Sequence, residues 1–143
     1  MSIRFIVSFV FLSLISCDST TIKSVEFHYM QPGISTHYRY FCSTYMFIEL
    51  GNKRYKKITN TSYLSDFEEH LNRLEKSPNE SVNARVLTLI HYANGNIDTL
   101  CIGEYRGICL NGDLLLHDED FHNLIMDEID FYDKKLYEKL RKK

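Results

Sequence analysis

Residues 84–112 read ARVLTLIHYANGNIDTLCIGEYRGICLNG, and this stretch decides the fold. Two apolar runs flank Asn94-Gly95, the dipeptide most typical of a two-residue β-hairpin turn. The length of the loop sets the register, because it decides which residues come to lie opposite each other. A two-residue loop predicts two apolar pairs and two pairs of opposite charge: Leu89–Leu100, Leu87–Ile102, His91–Asp98 and Arg85–Glu104.

The hairpin that follows is decided by the pairs that each loop length creates. A tight turn pairs Ile102 with Asn111, whereas a five-residue loop over 103–107 pairs Ile102 with Ile108. Only the five-residue loop keeps one face of the hairpin apolar, so we predict that loop.

The same register brings two cysteines opposite each other. Cys101 and Cys109 become direct cross-strand neighbours, at a Cα separation near the roughly 5.5 Å that a disulfide prefers. We therefore predict a Cys101–Cys109 disulfide. Asn111-Gly112 then predicts one more turn, into a strand over 114–116.

The chain before this stretch also contains strands. Residues 24–29 alternate between polar and apolar side chains, the period of a half-buried strand. Residues 38–50 are rich in aromatic and β-branched side chains, which favour strands. Gly51-Asn52 predicts a hairpin turn that places Glu49 opposite Arg54.

Two helices are predicted. The first begins with a capping box at Ser65 and Glu68, or a turn earlier with Thr61 or Ser62 as its cap, and ends before Pro78. The second is long and begins at Asp118-Glu119-Asp120, where its acidic start suits the helix dipole, as the basic residues near its end do. Their apolar stripes are Leu64, Phe67, Leu71 and Leu74 in the first, and Phe121, Ile125, Ile129, Tyr132, Leu136 and Leu140 in the second.

The order strands-helix-strands-helix predicts an α+β fold, with an antiparallel sheet of five to six strands and two helices on one face. A chain of 143 residues favours a single domain, which we place at 22–143. The 17 basic and 19 acidic residues give a formal net charge of −2. This balance argues against a nucleic-acid partner, because such binding needs a basic surface.

The first seventeen residues, MSIRFIVSFVFLSLISC, have the form of a secretory signal. Arg4 precedes an apolar run over 5–15 that is too short to cross a bilayer. Leu14 is too bulky for an ordinary signal-peptidase site cut after Ser16. The segment Leu14-Ile15-Ser16-Cys17 instead resembles the lipobox of bacterial lipoproteins.

That resemblance implies a signal peptide over 1–16 and a diacylglycerol thioether on Cys17. Residues 17–21 would then form a short tether. Acyl chains would hold the protein at the bacterial cell membrane or outer membrane, facing the periplasm or the outside, where disulfides persist. An ordinary secreted protein and an uncleaved apolar segment are the alternatives.

Nothing else in the sequence matches a motif with established chemistry. Clustered metal ligands, phosphate loops and Gly-x-Ser-x-Gly elbows are missing, so we expect no metal and no cofactor. Cys42 lies five residues after His37, but it alternates in phase with apolar residues and is expected to be a buried small hydrophobe. His117 and His122 flank an acidic stretch that is typical of a solvated helix start.

Aromatic residues are concentrated between residues 27 and 47. A strand has two faces, so a surplus of rings can form an exposed binding patch. The alternative is a sheet that is packed on both faces. The candidate binding residues are Tyr29, Tyr38, Tyr40, Tyr45 and Phe47.

These features favour a non-enzymatic binding module of the bacterial envelope, anchored to the lipid bilayer through Cys17. The candidate partner is another envelope protein. Two alternatives remain open: an envelope inhibitor or immunity-type lipoprotein that blocks a toxin, and a thiol-dependent enzyme that uses Cys42.

Metabolic labelling tests the anchor. Cells fed a labelled palmitate analogue should yield a labelled protein, and Cys17→Ser should lose the label because no other residue accepts the diacylglycerol. Equal label in both proteins, or a purified chain that still begins at Met1, would contradict lipidation at Cys17.

Overall fold

The computed structural model describes residues 20–30, 32–33, 39–42 and 54–133. Within these ranges the chain forms one antiparallel sheet with the strand order β2-β1-β3-β4-β5-β6, and two helices. The predicted α+β fold is confirmed. The elements are β1 (Ile22–Tyr29), β2 (Arg54–Ile58), α1 (Thr61–Arg73), β3 (Ala84–Tyr92), β4 (Ile97–Gly103), β5 (Ile108–Leu110), β6 (Asp113–Leu115) and α2 (Glu119–Glu128).

Both helices pack on the same face of the sheet. Leu64 and Phe67 of α1 and Phe121 and Ile125 of α2 are buried against the apolar side chains of that face. The Phe67 ring lies 6.5 Å from that of Phe27 on β1 and 5.0 Å from that of Phe121, both edge to face. This geometry is the favoured one for aromatic pairs, so the sheet and both helices share one core.

Helix α1 starts a turn earlier than a cap at Ser65 requires. Its N-cap is Asn60, whose side-chain oxygen accepts a hydrogen bond from Tyr63 N at 3.1 Å. Asn caps a helix as well as Ser does, so the earlier start loses no capping stabilisation. The helix ends at Arg73, ahead of Pro78.

Helix α2 begins where predicted and ends sooner. Asp118 is its N-cap through a side-chain oxygen. The helix ends at Glu128, and Asp130 adopts a left-handed backbone conformation with φ of 48° that an α-helix does not contain. A long helix is therefore wrong over 129–133, and its predicted continuation over 134–143 lies outside the described residues.

The β3–β4 register differs from the prediction by one residue. Leu87 lies opposite Cys101 rather than Ile102, and Leu89 lies opposite Thr99 rather than Leu100. A shift of one residue moves every side chain of a strand to the other face, so the predicted cross-strand pairs are wrong.

The shift originates in the turn, which has three residues instead of two. Tyr92 N donates a hydrogen bond to Asn96 O at 3.0 Å, which leaves Ala93, Asn94 and Gly95 as the loop. A two-residue type I′ turn needs a positive φ at both Asn94 and Gly95, and of these only Gly95 has one, at 88°. A three-residue loop needs this conformation only at the glycine.

The β4–β5 hairpin is as predicted, with a loop over 103–107. Asn111 and Gly112, with φ values of 50° and 91°, form the predicted tight turn into β6. The cross-strand pairs of β4 and β5 are Leu100–Leu110, Cys101–Cys109 and Ile102–Ile108.

Part of the second face of the sheet is also buried, and residues 39–42 pack against it. We call these residues the covering segment. A disulfide joins Cys42 of this segment to Cys101 of β4, with the Cα atoms 5.5 Å apart. The side chains beneath and around the segment are Met30, Tyr40, Val82, Ala84, Leu87, Cys101, Cys109 and Leu114.

The predicted Cys101–Cys109 disulfide is wrong, although the register that suggested it is right. Cys109 is a buried free thiol. Backbone hydrogen bonds join residues 99 and 111 and residues 103 and 107, and hydrogen-bonded pairs alternate along an antiparallel ladder. Cys101 and Cys109 are therefore a hydrogen-bonded pair, in which side chains lie farther apart than in the alternate pairs. Cys42 reaches Cys101 from the covering segment instead.

Other predictions fall outside the described residues, namely the signal peptide over 1–16, the lipidated Cys17 and the hairpin at Gly51-Asn52. Arg54, the predicted partner of Glu49, lies opposite Tyr29 of β1. No helix in the described part of the chain is long and apolar enough to cross a membrane.

The disulfide yields a stability prediction. It links residues 59 positions apart, for which the chain-entropy model gives roughly 4 kcal/mol of stabilisation. Urea unfolding of Cys42→Ser should therefore show a loss of about 2–5 kcal/mol. Cys109→Ala, which keeps the disulfide, should lose only about 1 kcal/mol. Equal losses in the two variants would contradict the Cys42–Cys101 link.

Candidate functional site

A shallow cleft opens at the end of the sheet where β1 and β4 finish. Its volume is about 280 Å³. Three separate parts of the chain build it: the covering segment, the start of β3, and the loop between β4 and β5. We call it the arginine cleft, and its principal lining residues are Arg39, Asn83, Arg85, Glu104, Tyr105 and Arg106.

Arg85 occupies the floor of the cleft because β3 contains a bulge there. The β3–β4 register shifts between Ala84 and Val86, so Arg85 is an extra residue in the ladder. Bulges redirect side chains and are common beside functional sites. The Arg85 side chain is only 7% exposed and lies with its Nε 3.9 Å from an oxygen of Glu104. Arg85 and Glu104 therefore form the ion pair expected from the sequence. The bulge, rather than a regular cross-strand register, brings them together.

The covering segment is fixed to this arginine by Asn83. The Asn83 side-chain oxygen accepts hydrogen bonds from Tyr40 N at 3.1 Å and from Arg85 Nη1 at 2.9 Å. Ala84 N donates to Tyr40 O at 3.0 Å. The Arg85 guanidinium lies 5.7 Å from the centre of the Tyr40 ring, within the range of a cation–π contact.

The loop over 103–107 forms the opposite wall. Gly107 has φ of 95°, and a Cβ there would approach Ser81 O to 2.4 Å, so only glycine fits. Arg106 Nη2 donates to both carboxylate oxygens of Glu80, at 3.1 and 3.2 Å. Gly103 O lies 3.1 Å from Nε2 of the buried His122. These contacts hold the loop against β3 and α2.

Glu104 is half-buried between the loop and its neighbours, with its side chain 11% exposed. One of its carboxylate oxygens accepts a hydrogen bond from Gly33 N at 3.2 Å. Its backbone oxygen accepts one from the Tyr132 hydroxyl at 2.6 Å. Because Glu104 balances the charge of buried Arg85, the pair can remain at the cleft floor.

Two large aromatic side chains at this end of the molecule are exposed to solvent. Tyr105 is 76% exposed and Phe41 is 69% exposed. Arg39 is also exposed and makes no hydrogen bond or ion pair with any other residue in the described ranges. Exposed aromatic rings beside arginines are the side chains most enriched at protein interfaces, so this arrangement can bind an anionic, partly apolar surface.

The predicted aromatic patch is only partly realised. Tyr29 is 6% exposed and packs beside Phe131 in the core, so its assignment as a binding residue is wrong. It faces inward because β1 lies inside the sheet, with its apolar side beneath the helices. Tyr40 is half-buried and contributes to the cleft through Arg85. The other three candidates, Tyr38, Tyr45 and Phe47, lie outside the described residues.

Cys42 is not a free thiol, which corrects two interpretations. It is neither the unpaired small hydrophobe expected from its position nor a nucleophile in the structure, because its sulfur is bonded to Cys101. A thiol-dependent mechanism at Cys42 would first require reduction or exchange of that bond.

The two histidines around the start of α2, His117 and His122, lie in contact with each other. His117 and His122 stack edge to face with ring centres 5.3 Å apart. Among the described residues, no group of three or more His, Cys, Asp or Glu side chains is placed to hold a metal ion. Burial, followed by the charges of His122 and Arg106, lowers the pKa of His117.

Sequence reasoning missed Arg39, Phe41, Tyr105 and Arg106 as site residues. Tyr105 and Arg106 lie in the loop over 103–107, whose bounds the sequence predicts correctly. Two large side chains at the tip of so short a loop indicate an exposed contact site. Arg39 and Phe41 carried no such signal, because a disulfide rather than regular secondary structure places them.

Comparison with known proteins gives no match. No family model matches the chain, and no curated protein or solved structure matches it significantly.

The lowered pKa of His117 yields a pH prediction. Folded protein binds fewer protons at His117 than unfolded protein does, so this residue's contribution is full above its ordinary pKa of about 6.5. The contribution is lost as the pH falls below that value. Urea unfolding at pH 7.5 and 5.5 should show a stability decrease that His117→Gln reduces.

The titration of Glu26 does not contribute to the stability difference between these two pH values. A hydrogen bond from Lys57 lowers the pKa of Glu26, whose contribution is therefore retained at both pH values. An unchanged pH dependence in His117→Gln would contradict the assignment.

Proposed function

We propose that this protein is a non-enzymatic binding module of the bacterial envelope, anchored to lipid through Cys17, and that it binds an acidic protein partner at the arginine cleft. The observation that carries the proposal is the position and composition of that cleft. Exposed arginine and aromatic side chains lie together on a rigid frame, at the end of the sheet away from the tether.

The direction of the tether supports this orientation. Residue 21 lies beside the β3–β4 turn, since Ala93 N donates to Thr21 O at 2.9 Å. From there β1 runs through eight residues to Tyr29, a rise of about 23 Å at 3.3 Å per residue. At the far end, Met30 N donates to Arg85 O at the cleft floor. A lipid anchor at Cys17 would thus leave the cleft facing away from the bilayer.

Charge supports an acidic partner. The chain as a whole has a formal net charge of −2, yet three arginines line this cleft with only one carboxylate among the principal lining residues. Arg39 has no partner among the described residues. The Arg106 side chain is 67% exposed in its pair with Glu80. Most of the Arg106 side chain faces solvent, so a partner carboxylate can reach it while Glu80 stays bound.

The aromatic residues support a protein rather than a small anion. Phe41 and Tyr105 present large apolar surfaces to solvent. A free phosphate or carboxylate would leave these rings uncovered, whereas a polypeptide would bury them while its acidic side chains meet the arginines. Beneath these rings, Asn83 and Glu104 already contact Arg85 and the covering segment. Their polar atoms therefore stabilise the cleft, and the exposed side chains above them are the ones available to a partner.

A titration with acidic peptide tests the cleft. Full-length protein should bind a hexaglutamate peptide flanked by tyrosines and ignore the matching hexalysine peptide. Removing one charge-assisted contact costs about 1.5–3 kcal/mol, so Arg39→Gln and Arg106→Gln should each weaken binding about tenfold or more.

The matched control is Lys23→Gln, which removes one positive charge from an exposed position near the tether. Binding by this variant should be close to that of the unaltered protein. Equal weakening in all three variants would show that net charge alone attracts the peptide, and absence of binding would contradict an acidic partner. Full binding of inorganic phosphate at the same residues would favour a small anion instead.

A further inference from the structure

Three cysteines meet beneath the covering segment, although only two of them are bonded. Cys42 and Cys101 form the disulfide. Cys109 is a free thiol, 4% exposed, on the same face and directly opposite Cys101 in the β4–β5 ladder. All three belong to the second buried cluster. A thiol beside a disulfide is the arrangement that thiol–disulfide exchange requires.

We propose that Cys109 is an exchange thiol that moves the disulfide and so controls the arginine cleft. The Cys109 thiolate attacks Cys101 Sγ, a Cys101–Cys109 bond forms, and the Cys42–Cys101 bond breaks. Cys42 leaves as a thiolate and takes up the proton that Cys109 released. One disulfide and one thiol are present before and after, so no oxidant or reductant is needed.

The fold makes the Cys42–Cys101 form the major one. Cys101 and Cys109 are a hydrogen-bonded pair whose side chains lie farther apart than in the alternate pairs, so their bond requires the ladder to adjust. Burial also raises the pKa of the Cys109 thiol, so little of it is thiolate near neutral pH. Exchange is therefore slow, and its rate increases with pH.

The exchange releases the part of the chain that carries Arg39 and Phe41. Without the disulfide, the segment is held to the sheet by the Tyr40 contacts with Asn83, Ala84 and Arg85. Arg39 and Phe41 are then less tightly fixed, because these non-covalent contacts replace the covalent bond to Cys101. This consequence rests on the proposed function. A partner that binds Arg39 in its fixed position stabilises the Cys42–Cys101 form.

Alkylation of the oxidised, full-length protein tests the exchange. The protein is incubated with iodoacetamide in native buffer without added thiol, quenched in acid, digested and mapped by mass spectrometry. We expect label on Cys42 together with a Cys101–Cys109 linked peptide. The rate of Cys42 labelling should increase about tenfold from pH 7.5 to 8.5, because it follows the thiolate fraction of Cys109.

Cys109→Ala and Cys109→Ser are the matched controls, and two substitutions are used so that one poorly folded variant does not decide the result. Both should leave Cys42 unlabelled. Label confined to Cys109 in the unaltered protein, or equal label on Cys42 in the variants, would overturn the proposal.

Repeating the labelling with the saturating acidic peptide separates the two proposals. Slower Cys42 labelling would support control of the cleft. Unchanged labelling despite bound peptide would overturn that control while leaving the acidic partner supported. Cys42 labelling in a protein that does not bind the peptide would support the exchange and contradict the acidic partner.

Discussion

The disulfide between Cys42 and Cys101 ties the covering segment, and with it one wall of the arginine cleft, to the central strand β4. Both described helices lie on one face of the six-stranded sheet, and residues 39–42 pack against the other face. The covalent bond fixes the covering segment there, so that the central strands are buried on both faces and the cleft has a second wall.

Burial on both faces explains why one hairpin was predictable from sequence and another was not. In β4 and β5, loop length alone separated an apolar face from a mixed one, and the register was right. In β3, Leu87 and Ile90 are both fully buried although they lie on opposite faces. Apolar side chains therefore suit either register, and the turn decides between them, because Gly95 has a positive φ and Asn94 does not.

Capping residues in the sequence predicted the start of α2 correctly and, with Ser65 as the cap, the start of α1 a turn too late. Asp118 begins α2 because an acidic cap and acidic first turn agree with each other. Asn60 and Ser65 both offer acceptable caps, and the earlier start brings buried Leu64 into the helix. The pairing of cysteines lay beyond sequence reasoning, because Cys42 and Cys101 are 59 residues apart and meet only through the completed sheet.

The candidate site shows the same division between local and long-range information. The loop with Tyr105 and Arg106 follows from a register that sequence could establish. A bulge directs Arg85 into the cleft, and a disulfide fixes the segment that carries Arg39. Neither feature produces a periodic pattern of apolar residues in the sequence. The cleft thus exists only when three distant parts of the chain are held together.

A disulfide map of the native protein tests this account most directly. The protein is unfolded at mildly acidic pH, where thiolates are scarce and exchange is suppressed, in the presence of excess N-ethylmaleimide, which still alkylates thiols there, and is then digested without reduction. The account predicts a linked pair of peptides that contain Cys42 and Cys101, with the alkyl group on Cys109. A dominant Cys101–Cys109 link with alkylated Cys42 would contradict it, because the covering segment and the arginine cleft would then lack their covalent support.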